Sequence, residues 1–199
     1  MTPLNLPNQL TSLRLMLSVV LFCFIAAGYY MTGFCLFLTA AGTDWLDGYF
    51  ARKYGQVTTL GRILDPFADK VIVCGTFIFL AAIPQITEVH WGLQAWMVVV
   101  IVGRELLVTA LRSFIEDRGS DFSAKMSGKL KMVLQCIAAG TCLFYLYCYE
   151  GKQPPQHIAD CTSDWIWWML IVFVWSSVVL TVYSGLVYVR IAVRLLRDA

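Results

Sequence analysis

The stretch DWLDGYFARKYGQVTTLGRILDPFAD, residues 44–69, places four aspartates in a chain that is otherwise strongly apolar. They lie near the inner ends of two apolar runs and are Asp44, Asp47, Asp65 and Asp69. A carboxylate within a membrane-spanning helix is unfavourable, so such a residue is by default a candidate for a functional site. Four carboxylates at this regular spacing indicate a bound divalent cation and a substrate for it to act on.

The composition around this stretch is typical of an integral membrane protein. Hydrophobic residues make up 59% of the 199-residue chain and charged residues 14%, against about 25% charged in ordinary soluble domains. Apolar runs of about 20 residues, the length that spans a bilayer as a helix, occur at 15–31, 33–51, 64–83, 92–113, 130–149 and 165–189. We therefore expect an all-α protein with six transmembrane helices. It forms a single domain, 1–199, in which a juxtamembrane segment, 1–14, precedes a membrane bundle, 15–196.

Lysine and arginine residues are concentrated on one side of the predicted membrane. Arg14 precedes the first span, and basic clusters follow the second, fourth and sixth spans, whereas the opposite connections contain a single lysine, Lys152. Because basic loops remain in the cytoplasm, both termini are predicted to be cytoplasmic. This charge suits anionic headgroups and phosphorylated solutes, and nucleic acid is a poor partner.

Helical spacing places the aspartates of each pair on one face. Asp44 and Asp47 are three residues apart and Asp65 and Asp69 four, spacings that bring side chains together on a helix. Two helices joined by a short loop run antiparallel, so we expect Asp44 to lie opposite Asp69. Asp47 then lies opposite Asp65. Like charges 4 Å apart repel by about 4 kcal/mol at an effective dielectric of 20, and bound cations relieve that repulsion.

The donor chemistry indicates two Mg²⁺ or Mn²⁺ ions. Carboxylate oxygens suit hard divalent ions, and the absence of a nearby histidine or cysteine disfavours zinc. Four carboxylates match a two-ion site of the kind used for in-line displacement at phosphorus. Gly48 and Gly61 leave room on the polar stripes for a substrate's phosphates, although either glycine alone is equally typical of helix packing. Arg52 at the mouth is suited to bind those phosphates.

The pattern D-x-x-D-G-x-x-A-R, eight residues, then G-x-x-x-D-x-x-x-D resembles the signature of the CDP-alcohol phosphotransferase family without a departure. Its specified positions are Asp44, Asp47, Gly48, Ala51, Arg52, Gly61, Asp65 and Asp69. Four further segments resemble bacterial members of that family that use glycerol 3-phosphate: NLPNQLTSLR (5–14), LDPFADK (64–70), GRELLVTALR (103–112) and SGKLKM (127–132). Sister enzymes that use inositol phosphate, serine or phosphatidylglycerol share the aspartate motif, so these acceptors remain alternatives.

This resemblance implies a fold, a reaction and a set of site residues. The fold is that of the CDP-alcohol phosphotransferases, a homodimer in the inner membrane of a bacterium with the active site facing the cytoplasm. The reaction transfers the phosphatidyl group of CDP-diacylglycerol to sn-glycerol 3-phosphate, giving phosphatidylglycerophosphate and CMP. The four aspartates correspond to metal ligands, and Asp69 also to the general base. The implied contacts to the liponucleotide are Asn8, Thr11, Gly48, Ala51, Arg52, Thr58 and Gly61.

The acceptor pocket is expected from the charge of glycerol 3-phosphate. Its dianionic phosphate requires cations beside the metal ions. Arg112 and Lys129 are the first candidates, followed by Arg104 and Lys131. Glu105 points elsewhere around the helix than Arg104 and is expected to pair with another element.

Two other classes of membrane protein also combine carboxylates with divalent ions. An intramembrane prenyltransferase uses Mg²⁺ and aspartate-rich motifs on a pyrophosphate, but it has more spans and two separated acidic motifs. A divalent-cation transporter accounts for the carboxylates but not for Arg52, which would repel the permeating ion. Phosphatidyl transfer is the interpretation that uses the whole pattern.

Overall fold

The computed structural model describes the backbone of residues 6–54, 59–89, 91–116, 126–150 and 165–197. It describes side chains for 11–42, 67–89, 91–113, 130–150 and 165–194. Within these ranges the chain forms seven helices and no strand. The helices are α1 (Leu6–Ala26), α2 (Tyr30–Tyr54), α3 (Thr59–Ala81), α4 (Pro84–Thr87), α5 (Ala95–Glu116), α6 (Met126–Cys148) and α7 (Trp165–Arg197).

The helices confirm the predicted all-α class. Each of the six predicted apolar runs coincides with one long helix, while α4 is a single turn between α3 and α5. Among the described residues, Leu130–Cys148 and Trp165–Arg194 are each long and apolar enough to cross a membrane. Shorter apolar stretches occur in α1 and α2, at Thr11–Ala26 and Tyr30–Gly42. These apolar helices indicate a membrane protein.

The turn between α1 and α2 comes several residues earlier than the sequence predicted. Helix α1 ends in a Schellman motif, in which Gly28 adopts the left-handed φ of +84°. The Tyr29 amide donates to the Phe24 carbonyl at 3.0 Å, and the Gly28 amide donates to the Ile25 carbonyl at 3.1 Å. Gly33, the first residue of the second predicted span, lies inside α2, where an added Cβ would be 3.2 Å from Cγ1 of Ile25.

Helix α3 is the central element of the bundle. It contacts α1, α2, α4, α5 and α6, whereas α7 packs on α5 and α6. Large fully buried side chains between these helices include Phe37, Phe77, Leu80, Met97 and Tyr145. Because α1 packs against both α2 and α3, the two helices that carry the aspartates share a common neighbour.

A tryptophan cluster lies at the end of the bundle opposite the aspartates. The Nε1 of Trp175 donates to the carbonyl of Trp91 at 3.0 Å, and the Trp175 ring packs against Trp91 and Trp96 at centroid distances of 5.8 and 6.0 Å. Next to it, Gly92 packs so closely on Ile86 that a Cβ would be 2.5 Å from the Ile86 carbonyl oxygen. Exposed tryptophans at one level are typical of a membrane interface.

Candidate active site

The four aspartates lie in the adjoining ends of α2 and α3. Asp44 is ten residues before the last residue of α2, and Asp69 is ten residues after the first residue of α3. At a rise of about 1.5 Å per residue, both positions are about 15 Å along their helices from the connection. Asp47 and Asp65 are about 10.5 and 9 Å from it by the same count. We call the end of the bundle where α2 ends and α3 begins the acidic end.

These helix bounds agree with the two matched levels that the spacing predicts. The side chains of Asp44, Asp47 and Asp65 lie outside the part of the chain whose side chains are described. The pairing of the carboxylates themselves therefore stays a prediction. Asp69 is described, and it is half-buried on α3.

The face of α3 that follows Asp69 approaches two other helices. Cys74 interacts electrostatically with Asp69 and Lys70 on its own helix. It interacts in the same way with Glu105 of α5 and Lys131 of α6. The polar part of α3 is thus continuous with the region where the acceptor pocket was predicted.

A buried network of charges joins α5, α6 and α7 in this region. Glu105 and Lys131 form a salt bridge, and their side chains are only 11% and 6% exposed. The Nη1 of Arg104 lies 3.4 Å from Oε1 of Glu105, and its Nη2 donates to Oγ of Ser184 at 2.5 Å. The Arg104 guanidinium carbon is also 5.5 Å from the centroid of the Tyr188 ring, a cation–π distance.

This network confirms that Glu105 pairs with another helix. It also shows that Lys131 and Arg104, both candidates for the acceptor phosphate, already have partners within the protein. Their positive charges face the carboxylate of Glu105, and their contacts tie three helices together.

Arg112 lies on α5 at the level of the aspartates. Helix α5 runs antiparallel to α3, with Glu105 near Cys74. Arg112 follows Glu105 by seven residues on α5, so its level on α3 lies seven residues before Cys74. That level is within one turn of Asp69. Arg112 is half-buried, and its Nε is shielded from solvent without a hydrogen-bond partner among the described residues. Its guanidinium thus has a donor available for a ligand.

The remaining predicted site residues are placed by their helices. Thr11 is buried in α1, with 1% of its surface exposed. For the others the helical backbone alone is described: Asn8 is in α1, Gly48, Ala51 and Arg52 are in the last two turns of α2, Gly61 is in the first turn of α3, and Lys129 is in the first turn of α6. Thr58 lies outside the described residues.

The chemistry of the donor set fits a hard divalent cation. All four candidate ligands are carboxylates, and the two helices that carry them are in contact. Among the side chains that the structure describes, no three metal-ligating groups come together, and three of the four aspartates are outside that set. The fit therefore depends on residue type and on the matched helix levels.

Arg14 is a residue that the sequence reasoning did not assign to the site. We counted it among the basic residues flanking the membrane, but it is 2% exposed and lies inside the bundle. It shares a buried stripe with Thr11 and Ser18. These polar residues lie at helical spacing on the same face of α1 as the buried Leu21 and Ile25. That shared face is the sequence signal from which the burial of Arg14 could have been predicted.

The fold and the acidic end together define a class: an all-helical protein with long apolar helices and four aspartates, on two helices in contact, of a residue type suited to a divalent ion. A sequence profile described as CDP-alcohol phosphatidyltransferase matches residues 4–183, so the chain belongs to this family of transferases. Members of the family use divalent metal ions. The resemblance seen in the motifs is confirmed.

Relatives of known name resemble the chain over most of its length. The CDP-diacylglycerol–glycerol-3-phosphate 3-phosphatidyltransferase of Bacillus subtilis is 34% identical over 200 residues, covering 92% of this chain and 93% of the relative. A probable phosphatidylglycerophosphate synthase of Mycobacterium tuberculosis is 35% identical over 196 residues, covering 96% and 82%. A Pseudomonas fluorescens protein with the same name as the Bacillus relative is 38% identical over 122 residues, 58% of each chain.

Proposed function

We propose that the protein transfers the phosphatidyl group of CDP-diacylglycerol to sn-glycerol 3-phosphate, releasing CMP and forming phosphatidylglycerophosphate. The observation that carries this proposal is the pair of matched aspartate levels on α2 and α3. The Bacillus and Pseudomonas relatives are named for this reaction, and the Mycobacterium relative is named for its product.

The proposed enzyme spans the inner membrane of a bacterium six times, with both termini and the acidic end on the cytoplasmic side. Six long helices coincide with the predicted spans, and the basic segments of the sequence all fall on the side of the acidic end. This arrangement lets a lipid donor enter from the bilayer and a soluble acceptor enter from the cytosol. We also expect a homodimer, as the family resemblance implies.

The donor half of the proposed site is built from α1, α2 and α3. Two Mg²⁺ or Mn²⁺ ions held by Asp44, Asp47, Asp65 and Asp69 would neutralise the pyrophosphate and the charge that develops during displacement. Gly48 and Gly61 leave backbone space for the phosphates, and Arg52 binds them at the mouth. Asn8, Thr11 and Thr58 hold the nucleotide, and Thr11 lies on the face of α1 that is buried in the bundle.

Asp69 acts as the general base in this proposal. Its carboxylate accepts the proton of the primary hydroxyl of glycerol 3-phosphate as that oxygen bonds to the phosphorus that bears diacylglycerol. The bond from this phosphorus to the bridging oxygen breaks, and the electron pair leaves with CMP. The half-buried position of Asp69, on the face of α3 that leads towards α5 and α6, supports this role.

Arg112 is the strongest candidate for binding the acceptor phosphate. It is level with Asp69 and has a shielded Nε without a partner among the described residues. Lys129, in the first turn of α6, is the second candidate. Arg104 and Lys131 rank lower, because both already contact the carboxylate of Glu105.

The test is an acceptor panel. Purified protein receives CDP-diacylglycerol and Mg²⁺ with glycerol 3-phosphate, serine, inositol phosphate or phosphatidylglycerol, and CMP release is measured. We expect glycerol 3-phosphate to be preferred over serine by about 100-fold or more, since a pocket built for a phosphate rejects an acceptor that lacks it, and to give more CMP than the two bulkier acceptors that carry a phosphate. If another acceptor gives more CMP, that acceptor and not glycerol 3-phosphate is the substrate. No CMP with any acceptor would refute phosphatidyl transfer and favour the prenyltransferase or transporter alternatives.

A further inference from the structure

A buried arginine in α1 faces the two helices that carry the aspartates. Arg14 is 2% exposed and interacts with another group of the protein, as is usual for a buried arginine. Its buried stripe on α1 consists of Thr11, Arg14, Ser18, Leu21 and Ile25. Because α1 packs against α2 and α3, this stripe faces those two helices and not lipid.

Contacts between α1 and α3 set the level of Arg14 against Asp69. Both helices run away from the acidic end, because each is antiparallel to α2. The ring of Phe22 stacks on Phe79 with centroids 5.0 Å apart, and it fills the space that a Cβ on Gly75 would need. On α3, the contact with Phe22 is centred midway between Gly75 and Phe79. Arg14 precedes Phe22 by eight residues on α1, and Asp69 precedes that midpoint by eight residues on α3, so the two residues lie at the same level.

Contacts between α1 and α2 give a consistent level independently. A Cβ on Gly33 would be 3.2 Å from Ile25 and 3.8 Å from Leu21, so these positions face each other. Arg14 precedes Leu21 by seven residues and Ile25 by eleven. Because α2 is antiparallel to α1, the level of Arg14 on α2 lies seven to eleven residues after Gly33. That displacement reaches 40–44, whose last residue is the first aspartate of the motif.

The order of residues along α1 also matches the order of groups in a liponucleotide. From the cytosol inward, CDP-diacylglycerol presents its nucleoside, its pyrophosphate and then its acyl chains. Thr11, assigned to the nucleotide end, is about one helical turn nearer the acidic end than Arg14. Beyond Arg14 the helix becomes apolar, starting at Leu15. Arg14 therefore occupies the level that the pyrophosphate would take.

Charge balance favours an anionic ligand at this position. The four aspartates and two divalent ions of the proposed site sum to zero, so the two phosphates of the liponucleotide still need cations. Arg52 at the mouth supplies one positive charge. We propose that Arg14 supplies the other and binds the pyrophosphate of CDP-diacylglycerol through its guanidinium. This inference rests on the proposed function of the site.

The sharpest test is the full-length Arg14→Lys variant, which keeps the charge but loses the planar guanidinium that binds phosphate through two donors. We expect its KM for CDP-diacylglycerol to rise by about 10-fold, as loss of a charge-assisted hydrogen bond predicts. Its KM for glycerol 3-phosphate and its melting temperature should stay close to those of the unsubstituted protein. Arg190→Lys, at an exposed position of α7, is the matched control and should change neither KM.

A binding measurement separates phosphate recognition from a structural role. CDP and cytidine are titrated against both proteins in the presence of Mn²⁺, with cytidine measured by competition. We expect Arg14→Lys to weaken CDP binding and to leave cytidine binding unchanged. An equal loss for both, or an unchanged KM for CDP-diacylglycerol, would overturn the proposal, whatever the melting temperature.

The two proposals fail in different ways. If the unsubstituted protein releases CMP with glycerol 3-phosphate and Arg14→Lys behaves identically, only the role of Arg14 is rejected. If the unsubstituted protein releases no CMP from CDP-diacylglycerol with any acceptor, the proposed function is rejected, and the CDP titration still decides whether Arg14 binds a pyrophosphate.

Discussion

Among single residues, Asp69 is assigned the most specific chemical role in the proposed reaction. It is half-buried on α3, at the deeper of the two aspartate levels, where a lipid-linked phosphorus and a soluble hydroxyl would meet. Asp69→Asn keeps the size of the side chain but removes the proton acceptor, so we expect CMP release to fall by about 1,000-fold. Binding of CDP in the presence of Mn²⁺ should be largely retained. Turnover near that of the unsubstituted protein would remove Asp69 from the role of base.

Arg112 provides the corresponding test on the acceptor side. Arg112→Ala removes a half-buried guanidinium that lies level with Asp69. We expect the KM for glycerol 3-phosphate to rise by at least about 10-fold, as loss of a charged hydrogen bond predicts. The KM for CDP-diacylglycerol should change little in the same steady-state assay. Equal increases for both substrates would mean that the acceptor phosphate binds elsewhere, and Arg190→Ala controls for loss of charge alone.

The positions of some site residues could be predicted from the sequence, and those of others required the packing of the helices. The regular spacing of the aspartates predicted their matched levels, because it depends only on helix geometry. The partner of Glu105 required knowledge of which helix lies beside α5. The burial of Arg14 was not predicted, because a positive charge next to an apolar run normally marks a cytoplasmic flank. Only the packing of α1 on α2 and α3 shows that this side chain is inside.

At the scale of helices, the salt bridge between Glu105 and Lys131 holds α5 to α6. Replacing one partner of a buried pair leaves the other charge uncompensated, which typically costs about 3–5 kcal/mol. Because Arg104 stays 3.4 Å from Glu105, we expect Lys131→Met to lower the free energy of unfolding by about 3 kcal/mol, the lower end of that range. Glu105→Gln should lower it by at least as much, because this change leaves both Lys131 and Arg104 without their carboxylate partner. Denaturant unfolding in detergent measures both, and equal stability of all three proteins would contradict a structural salt bridge.

Helix existence was predictable, but helix ends were not. Long apolar runs predicted all six long helices, because only a helix satisfies its backbone within a bilayer. The first turn was displaced because the apolar run 15–31 continues past Gly28, the residue that adopts positive φ and ends α1. Within α2, Gly33 allows close approach of Ile25. The short helix α4 was missed because four residues are too few to show a helical period.

At the scale of the whole molecule, the predicted topology places the connection between the fifth and sixth spans outside the cell. Cys161 lies in this connection, beyond the described residues, and the other cysteines are in apolar runs. We expect a membrane-impermeant maleimide to label Cys161 in intact spheroplasts, and Cys161→Ser should abolish this labelling. A cysteine introduced by Gln56→Cys, between α2 and α3, should react only after lysis. Labelling of position 56 in intact spheroplasts, with Cys161 reacting only after lysis, would contradict the predicted topology and support the opposite orientation.

Binding of metal ions between α2 and α3 is the central claim, and anomalous scattering from Mn²⁺ in crystals of the protein tests it most directly. We predict two Mn²⁺ peaks about 3.5–4 Å apart, the separation typical of two-metal sites, at the level of the four aspartates. Asp65→Asn should weaken or remove them. Carboxylates turned away from each other, with Mn²⁺ absent from this region, would contradict the account.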